Sequence, residues 1–151
     1  MVIGVISDTH GLLRPEALAA LAGSELIIHA GDIGPASVLE AMRAIAPVVA
    51  VRGNVDRSGP AAELPETEVV SVGRHSIYVL HDLHRLDLHP RAAGFSAVIS
   101  GHTHAPVAER KGGVLYLNPG SAGPRRFKLP ICLAKIHVRD EALEHEMIVL
   151  G

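Results

Sequence analysis

The chain has 151 residues, the size of one ordinary domain, and 48% of them are apolar, which is enough for a continuous core. A charged fraction of 20% argues against global disorder. The net charge is -2 and the basic residues form no long cluster, which argues against a surface for wrapping duplex DNA or binding membranes. The first residues do not resemble a signal peptide and no apolar run has membrane-spanning length. We therefore expect a single cytoplasmic domain over residues 1–151.

The first third of the chain alternates strand and helix patterns. VIGVIS predicts a buried strand, Pro15 to Ala22 a helix with proline in its first turn, and ELIIHA a second strand. A second helical pattern runs from Pro35 to Ala46, and PVVAV predicts a third strand. This βαβαβ order implies parallel strands joined by right-handed crossovers.

From about residue 67 strand patterns dominate. TEVVSV and HSIYVLH predict an antiparallel pair that turns at Gly73, and a short helix is expected near Pro90 to Ala93. SAVIS, VAER, GVLYLN, PICLAKIHV and ALEHEMIVL predict further strands. A parallel half joined to a sheet-rich half predicts two sheets packed face to face with helices outside, an α/β fold.

Cysteine and histidine usage limits the metal chemistry that is available. Cys132 is the only cysteine, so the chain has neither an internal disulfide nor a thiolate cage. It alternates with Ala134 and Ile136, which indicates a small buried hydrophobic residue. Ten histidines stand out instead, so a transition metal would be held by imidazole and carboxylate.

Polar residues recur where the predicted strands end. Because ligands of open α/β sheets bind outside the carboxyl ends of the strands, these loops should converge on one rim. The set is Asp8, His10, Asp32, Asn54, His81, His102 and His104. It exceeds what one catalytic ion accepts and suits two ions about 3.5–4 Å apart that share a carboxylate. The mixed ligands favour Mn, Fe, Zn, Co or Ni over Mg or Ca.

Each piece of this set also has an ordinary structural explanation. The run Asp8 to Gly11 could cap a helix, Gly-Asp and Gly-Asn pairs commonly form turns, and a lone histidine such as His81 is usually a half-buried side chain. The functional interpretation depends on their occurrence in order at successive strand ends.

The order Asp-x-His, Gly-Asp, Gly-Asn-x-Asp, His and Gly-His-x-His closely resembles the calcineurin-like metallophosphoesterase superfamily over nearly the whole chain. The NPGS run at Asn118 to Ser121 is similar to its compact single-domain phosphodiesterase branch. The resemblance implies a four-layer αββα sandwich of two mixed β-sheets with flanking helices. It also implies hydrolysis of phosphodiesters with two divalent ions, most often Mn²⁺ or Ni²⁺.

Residue roles follow from the same resemblance. It assigns one ion to Asp8, His10 and His104 and the other to Asn54, His81 and His102, with Asp32 bridging. A water held between two such ions would ionise near neutral pH and attack phosphorus.

Other side chains are expected to assist. Asp32 and Asn54 are expected to be catalytic residues, and the Asn54 amide is also expected to contact the phosphoryl group. Asp56 joins them by orienting a neighbouring residue. Asn118 and Ser121 are expected either to hold a ligating histidine or to contact substrate, although NPGS alone also predicts a tight turn.

Two positions depart from the family pattern. Val55 stands where many of these phosphatases carry a histidine thought to protonate the leaving group, and His84, Arg57 and Arg126 are candidate replacements. Asp82 stands where relatives commonly have glycine. It either adds negative charge near the second ion or points outward from its strand, and the outward position is the favoured interpretation. The remaining histidines are expected to be structural or on the surface: His29, His75, His89, His137 and His145.

The favoured function is a divalent-metal-dependent phosphodiesterase, with Mn²⁺ the first choice, acting on a small phosphodiester or nucleotide-like substrate. The alternative is a protein-binding scaffold with the same fold, similar to the retromer scaffold subunit, and the missing general-acid histidine is the one feature in its support. A DNA nuclease is disfavoured because the chain is short and has a net charge of -2. We expect no membrane partner or extended nucleic acid, and a homo-oligomer is compatible with the sequence.

Overall fold

The computed structural model describes residues 1–151, which form ten strands and two α-helices. The strands are β1 (Val2–Ile6), β2 (Leu26–His29), β3 (Val48–Ala50), β4 (Thr67–Val72), β5 (His75–Leu80), β6 (Ala97–Ile99), β7 (Val107–Lys111), β8 (Val114–Asn118), β9 (Cys132–Val138) and β10 (Leu143–Val149). The helices are α1 (Pro15–Leu21) and α2 (Ala36–Arg43), with short 3-10 helices at Pro60–Glu63 and Leu83–Arg85.

The first sheet has the strand order β10-β9-β1-β2-β3. As the alternating patterns predict, β1, β2 and β3 are parallel, while β9 and β10 extend the sheet as antiparallel strands. Both α-helices pack on its outer face, where Leu21 and Met42 meet Ile6 and Ile27. Gly4 permits this approach, because a Cβ there would lie 2.6 Å from Leu21 Cδ2.

The second sheet has the strand order β4-β5-β6-β8-β7 and is also mixed. β4 and β5 form the predicted hairpin around Gly73, and β5, β6 and β8 are parallel. The two sheets bury a shared aliphatic layer that includes Ile3, Ile28, Ile77 and Leu115. The expected pair of mixed sheets packed face to face is therefore confirmed.

The outer face of the second sheet is covered by the segment between β5 and β6. Tyr78 and Val98 of the sheet pack there against Leu86 and Phe95. The predicted helix near Pro90 to Ala93 is wrong, because this stretch is a turn in which the Phe95 amide donates to the Pro90 carbonyl. Gly94 ends it with φ of 85°, a conformation that stops a helix and reverses the chain.

No helix in the structure is both long enough and apolar enough to cross a membrane.

Candidate metal centre

The loops that follow β1, β2, β3, β5 and β6 meet at one rim that joins the two sheets. Within the first sheet, the Asp8 amide donates to the Gly31 carbonyl at 3.0 Å. Between strands of the second sheet, the Gly101 amide donates to the His81 carbonyl at 2.9 Å. The His102 amide links the sheets by donating to Asp8 Oδ2 at 3.1 Å. The rim therefore brings together all seven side chains selected from the sequence.

The backbone at this rim is unusual. Six non-glycine residues of the chain have positive φ, and five of them belong to the selected set: Asp8, His10, Asp32, His102 and His104. Asp and His tolerate this left-handed region better than most residues, yet each instance has an energetic cost. Such a concentration of strained residues is typical of a functional site.

Asp8 lies at the centre of the first group of side chains. Its Oδ2 accepts hydrogen bonds from Ser7 Oγ and the His102 amide, which fixes the carboxylate. Its Oδ1 accepts no hydrogen bond and lies 3.7 Å from His10 Nε2 and 3.4 Å from His104 Nε2. The rings of His10 and His104 are 5.3 Å apart, so both face this one oxygen.

Asp32 lies between the first group and the second. Its Oδ1 accepts from the Val55 amide at 3.0 Å. Its Oδ2 faces His10 Nε2 at 3.6 Å and His81 Nε2 at 3.1 Å. One oxygen is thus fixed by the backbone while the other faces an imidazole from each group.

The second group is formed by Asn54, His81 and His102. Asn54 Oδ1 lies 3.0 Å from His81 Nε2 and 3.1 Å from His102 Nδ1. His81 Nδ1 lies 2.7 Å from the Ala30 carbonyl, to which it donates, and this leaves Nε2 directed into the centre. A histidine held by a carbonyl in this way is the usual arrangement for a metal ligand.

These donors fit a divalent transition metal. Asp8 Oδ1 and His10 Nε2 are buried without a hydrogen-bond partner, which is costly unless a cation or water satisfies them. Two sets of ligand atoms lie within 4.8 Å of one another, one from Asp8, His10 and His104 and the other from Asp8, Asp32 and His81. Imidazole mixed with carboxylate suits transition metals better than Mg²⁺ or Ca²⁺. The division of these residues between two ions stays a prediction.

Comparison with known proteins gives the family. The model of the calcineurin-like phosphoesterase superfamily domain matches residues 1–141. This chain belongs to the calcineurin-like phosphoesterase superfamily. It is 36% identical to a protein of Methanocaldococcus jannaschii named as a metallophosphoesterase, over 98% of this chain and 81% of that protein.

Solved structures agree with this assignment. An archaeal phosphodiesterase superposes with a TM-score of 0.83 at 25% identity, covering 99% of this chain and 100% of the other. Vps29 from Entamoeba histolytica, solved with zinc, has a TM-score of 0.76 and 23% identity over 100% of both chains. At that identity the Vps29 likeness shows a common fold.

Burial and charge together set the protonation of the phosphoesterase centre. Burial acts to raise the pKa of Asp8, but the His10 and His104 imidazoles that face its Oδ1 outweigh this effect and hold the pKa far below its usual range. Burial also acts to raise the pKa of Asp32, but the hydrogen bond with His81 is the main effect that outweighs it, and the pKa is lowered. The nearby Asp8 carboxylate raises the pKa of His10, and the Asp32 and Asp8 carboxylates raise that of His81 despite burial. The carboxylates are therefore ionised at neutral pH, and a cation would displace protons from the imidazoles.

Asp56 lies behind the phosphoesterase centre and does not face it. Its carboxylate is buried and accepts hydrogen bonds from the backbone amides of Asp32, Ile33, Gly34 and Gly53. These amides belong to the loops after β2 and β3, so Asp56 fixes the two loops that carry Asp32 and Asn54. A direct catalytic role is not compatible with this placement, and the carboxylate acts by orienting its neighbours.

Asn118 and Ser121 are also buried inside the loop network. Asn118 Nδ2 donates to the Gly101 carbonyl and to Thr103 Oγ1, and its Oδ1 accepts from the Gly120 amide. Ser121 Oγ donates to the Asp8 carbonyl at 3.0 Å. Because these contacts lie inside the protein, Asn118 and Ser121 support the ligand-bearing loops. The geometry does not favour their contact with substrate.

His29 is a supporting residue that sequence reasoning placed outside the site. It is fully buried, its Nδ1 accepts from the Gly31 amide at 3.1 Å, and its Nε2 lies 3.0 Å from Thr9 Oγ1. Thr9 Oγ1 in turn donates to the Ile33 carbonyl at 2.8 Å. The relay joins the Asp8 loop to the Asp32 loop. The feature of the sequence that could have indicated this role is the position of His29, three residues before Asp32.

The two departures from the family pattern directly follow residues of the second group, Val55 after Asn54 and Asp82 after His81. Val55 has an apolar side chain that is 50% exposed, and only its amide serves the site, through Asp32. The expectation that Asp82 points outward is wrong. Its Oδ1 accepts from the His84 amide and caps a 3-10 helix, and its Oδ2 lies 4.0 Å from His102 Nε2.

Proposed function

We propose that this protein is a divalent-metal-dependent phosphodiesterase. The observation that carries the proposal is the pair Asp8 and Asp32, each with one oxygen fixed by the backbone and the other turned toward imidazoles of the centre. Family membership supports ester hydrolysis at phosphorus, and the archaeal phosphodiesterase supports the diester. We further propose two ions, Mn²⁺ first among them, with the ligand division given above.

The residues of the chain have separate tasks in this proposal. When bound, the ions would supply an ionised water as nucleophile and neutralise charge on the phosphoryl oxygens. Asp32 would join the two halves of the centre, and Asn54 would offer a neutral oxygen that adds no charge beside the phosphate. Val55 has no proton to donate, so diesters with poor leaving groups should react slowly.

The proposed substrate is small, and the surface charge supports this choice. A net charge of -2 gives no extended cationic track for nucleic acid. The scaffold alternative gains nothing from the structure, because every selected ligand residue is present at the rim and the Vps29 likeness concerns the fold. The cytoplasmic location is proposed on composition alone, and a homo-oligomer is compatible with the sequence.

Hydrolysis of a chromogenic phosphodiester tests the function. The purified protein should turn over the substrate with added Mn²⁺ and lose this activity with a chelator. Asp32→Ala should remove activity more completely than His10→Ala, because it removes the shared ligand. His145→Ala, on the exposed face of β10, is the matched control and should retain full activity. Absence of any metal-dependent turnover would refute the proposal.

A further inference from the structure

A cavity of about 720 Å³ opens directly beside the candidate metal centre. Asn54, His81 and His102 of the second group line it. Its walls then lead away from the centre past Asp82, Arg57 and other residues of the loops after β3 and β5. A phosphodiester held at the centre would therefore extend one of its two ester arms into this cavity.

Most of the residues that line the cavity are polar or charged. Only two of its thirteen lining residues are hydrophobic, whereas pockets for drug-like or acyl ligands are lined mainly by apolar side chains. A hydrocarbon arm would exclude water from charged groups and offer them no partner in exchange. The cavity therefore suits an arm with hydrogen-bonding groups of its own.

Part of the charge in the cavity is already engaged within the wall. Arg52 pairs with Glu66 at 2.9 Å and also donates to the Ala62 carbonyl. Arg57 Nε donates to the Asn54 carbonyl at 3.2 Å, which holds its side chain close to the centre. Arg52, Glu66 and Arg57 are thus engaged within the wall, and a different side chain has to accept a hydrogen bond from a bound ester arm.

Asp82 supplies that acceptor. Its Oδ1 is held by the His84 amide at 3.1 Å, which fixes the carboxylate at the start of the 3-10 helix. Its Oδ2 makes no hydrogen bond, and His102 Nε2 lies 4.0 Å from it. A carboxylate oxygen that is fixed in place but lacks a donor is suited to accept from a hydroxyl group.

We propose that the cavity binds an ester arm carrying free hydroxyl groups, of the glycerol or ribose kind, and that Asp82 determines this specificity by accepting a hydrogen bond from one of them. The inference rests on the proposed phosphodiesterase function and names the substrate class for that site.

Two substrates with the same leaving group test the proposal. Glyceryl 4-nitrophenyl phosphate and propyl 4-nitrophenyl phosphate differ in the hydroxyls of one arm, and the uridine 5′ ester separates a ribose arm from glycerol. We expect the protein with Mn²⁺ to favour the glyceryl ester over the propyl ester about tenfold in kcat/KM, the effect of one charge-assisted hydrogen bond. Asp82→Ala should bring this ratio close to unity, and Asp82→Asn should retain part of it. Asp140→Ala, in the exposed turn between β9 and β10, is the control and should leave the ratio unchanged.

The outcomes separate this inference from the proposed function. Equal kcat/KM values for the two esters would overturn the inference, and so would an equal loss on both esters in Asp82→Ala, since this would indicate an effect through the metal centre. Calorimetric binding of glyceryl and propyl methylphosphonate to the Mn²⁺-loaded protein gives a reading that does not need turnover. A binding preference without hydrolysis of either ester contradicts only the proposed function, and hydrolysis without preference contradicts only the inference. Absence of both contradicts the two together.

Discussion

Replacing Asp56 by asparagine tests how the candidate centre is held. The Asp56 carboxylate accepts from four backbone amides, with Oδ2 at 2.9 Å from the amides of Asp32 and Gly53. In its better orientation an asparagine oxygen keeps these two bonds and the Ile33 contact at 3.2 Å, while its amide group faces the Ile33 and Gly34 amides, donor against donor. Each of the three retained bonds loses its charge-assisted part, about 1 kcal/mol, and the lost Gly34 bond costs about 1–3 kcal/mol more, so the loss in free energy of unfolding should be about 4–6 kcal/mol.

Urea denaturation and calorimetric metal binding together measure this effect. Because Asp56 fixes both loops that carry Asp32 and Asn54, we also expect Mn²⁺ affinity to fall about 10-fold to 100-fold in Asp56→Asn. Asp140→Asn changes an exposed turn carboxylate in the same way and should alter neither quantity. A change in stability below about 0.5 kcal/mol, or an unchanged metal affinity, would refute the reasoning that these hydrogen bonds position the ligands.

Three further predictions concern buried positions. Gly101→Ala places a Cβ against Ser7 Oγ and 2.7 Å from Asp8 Oδ2, so thermal denaturation should show a loss of about 1–3 kcal/mol, and an unchanged melting temperature would contradict this packing. Burial lowers the pKa of His29 from 6.5 to about 4. As the pH falls, His29 therefore binds a proton in the unfolded protein before it does so in the folded protein. The decline in unfolding free energy between about pH 7 and about pH 4.5 should therefore be about 2 kcal/mol smaller in His29→Asn, and equal declines in urea denaturation would refute it. Burial raises the pKa of Cys132 to about 11, so a thiol reagent should modify it at mildly alkaline pH only after denaturant is added; rapid labelling of the native protein would be the contrary result.

The position of the candidate site could be predicted from the sequence because it depends on strand direction alone. Parallel strands leave their carboxyl ends at one edge, so residues such as Asp8, Asp32 and Asn54 must approach one another once the βαβαβ order is known. His81 and His102 belong to the second sheet, and their approach follows because β5 and β6 are parallel as well. The alternating patterns predicted that there are two sheets, but not that β9 and β10 return to the first of them.

The supporting residues could not be predicted in the same way. Asp56 and His29 act through hydrogen bonds to backbone amides of other loops, and such contacts leave no periodic pattern in the sequence. Asp82 was assigned outward because side chains alternate along a strand, but β5 ends at Leu80 and the 3-10 helix that follows turns the carboxylate back. The turn at Pro90 resembles a helix because a proline often begins one, but Gly94 ends it after a single turn.

Strain at the rim explains why so many buried residues support so few ligands. Asp8 and Asp32 have φ of 56° and 58°, a conformation that costs about 1 kcal/mol or more for each residue with a side chain. Each strained loop is fastened by a buried group that is not itself a candidate ligand: Ser121 holds the Asp8 carbonyl, and Asp56 holds the Asp32 amide. These contacts offset the strain before any cation arrives, so the ligand atoms are arranged in advance and metal binding need not supply the energy to order the loops. It follows that variants of the supporting residues should weaken metal binding even though no ligand atom is removed, whereas variants of the cavity wall at Asp82 should alter the choice of substrate and leave metal affinity intact.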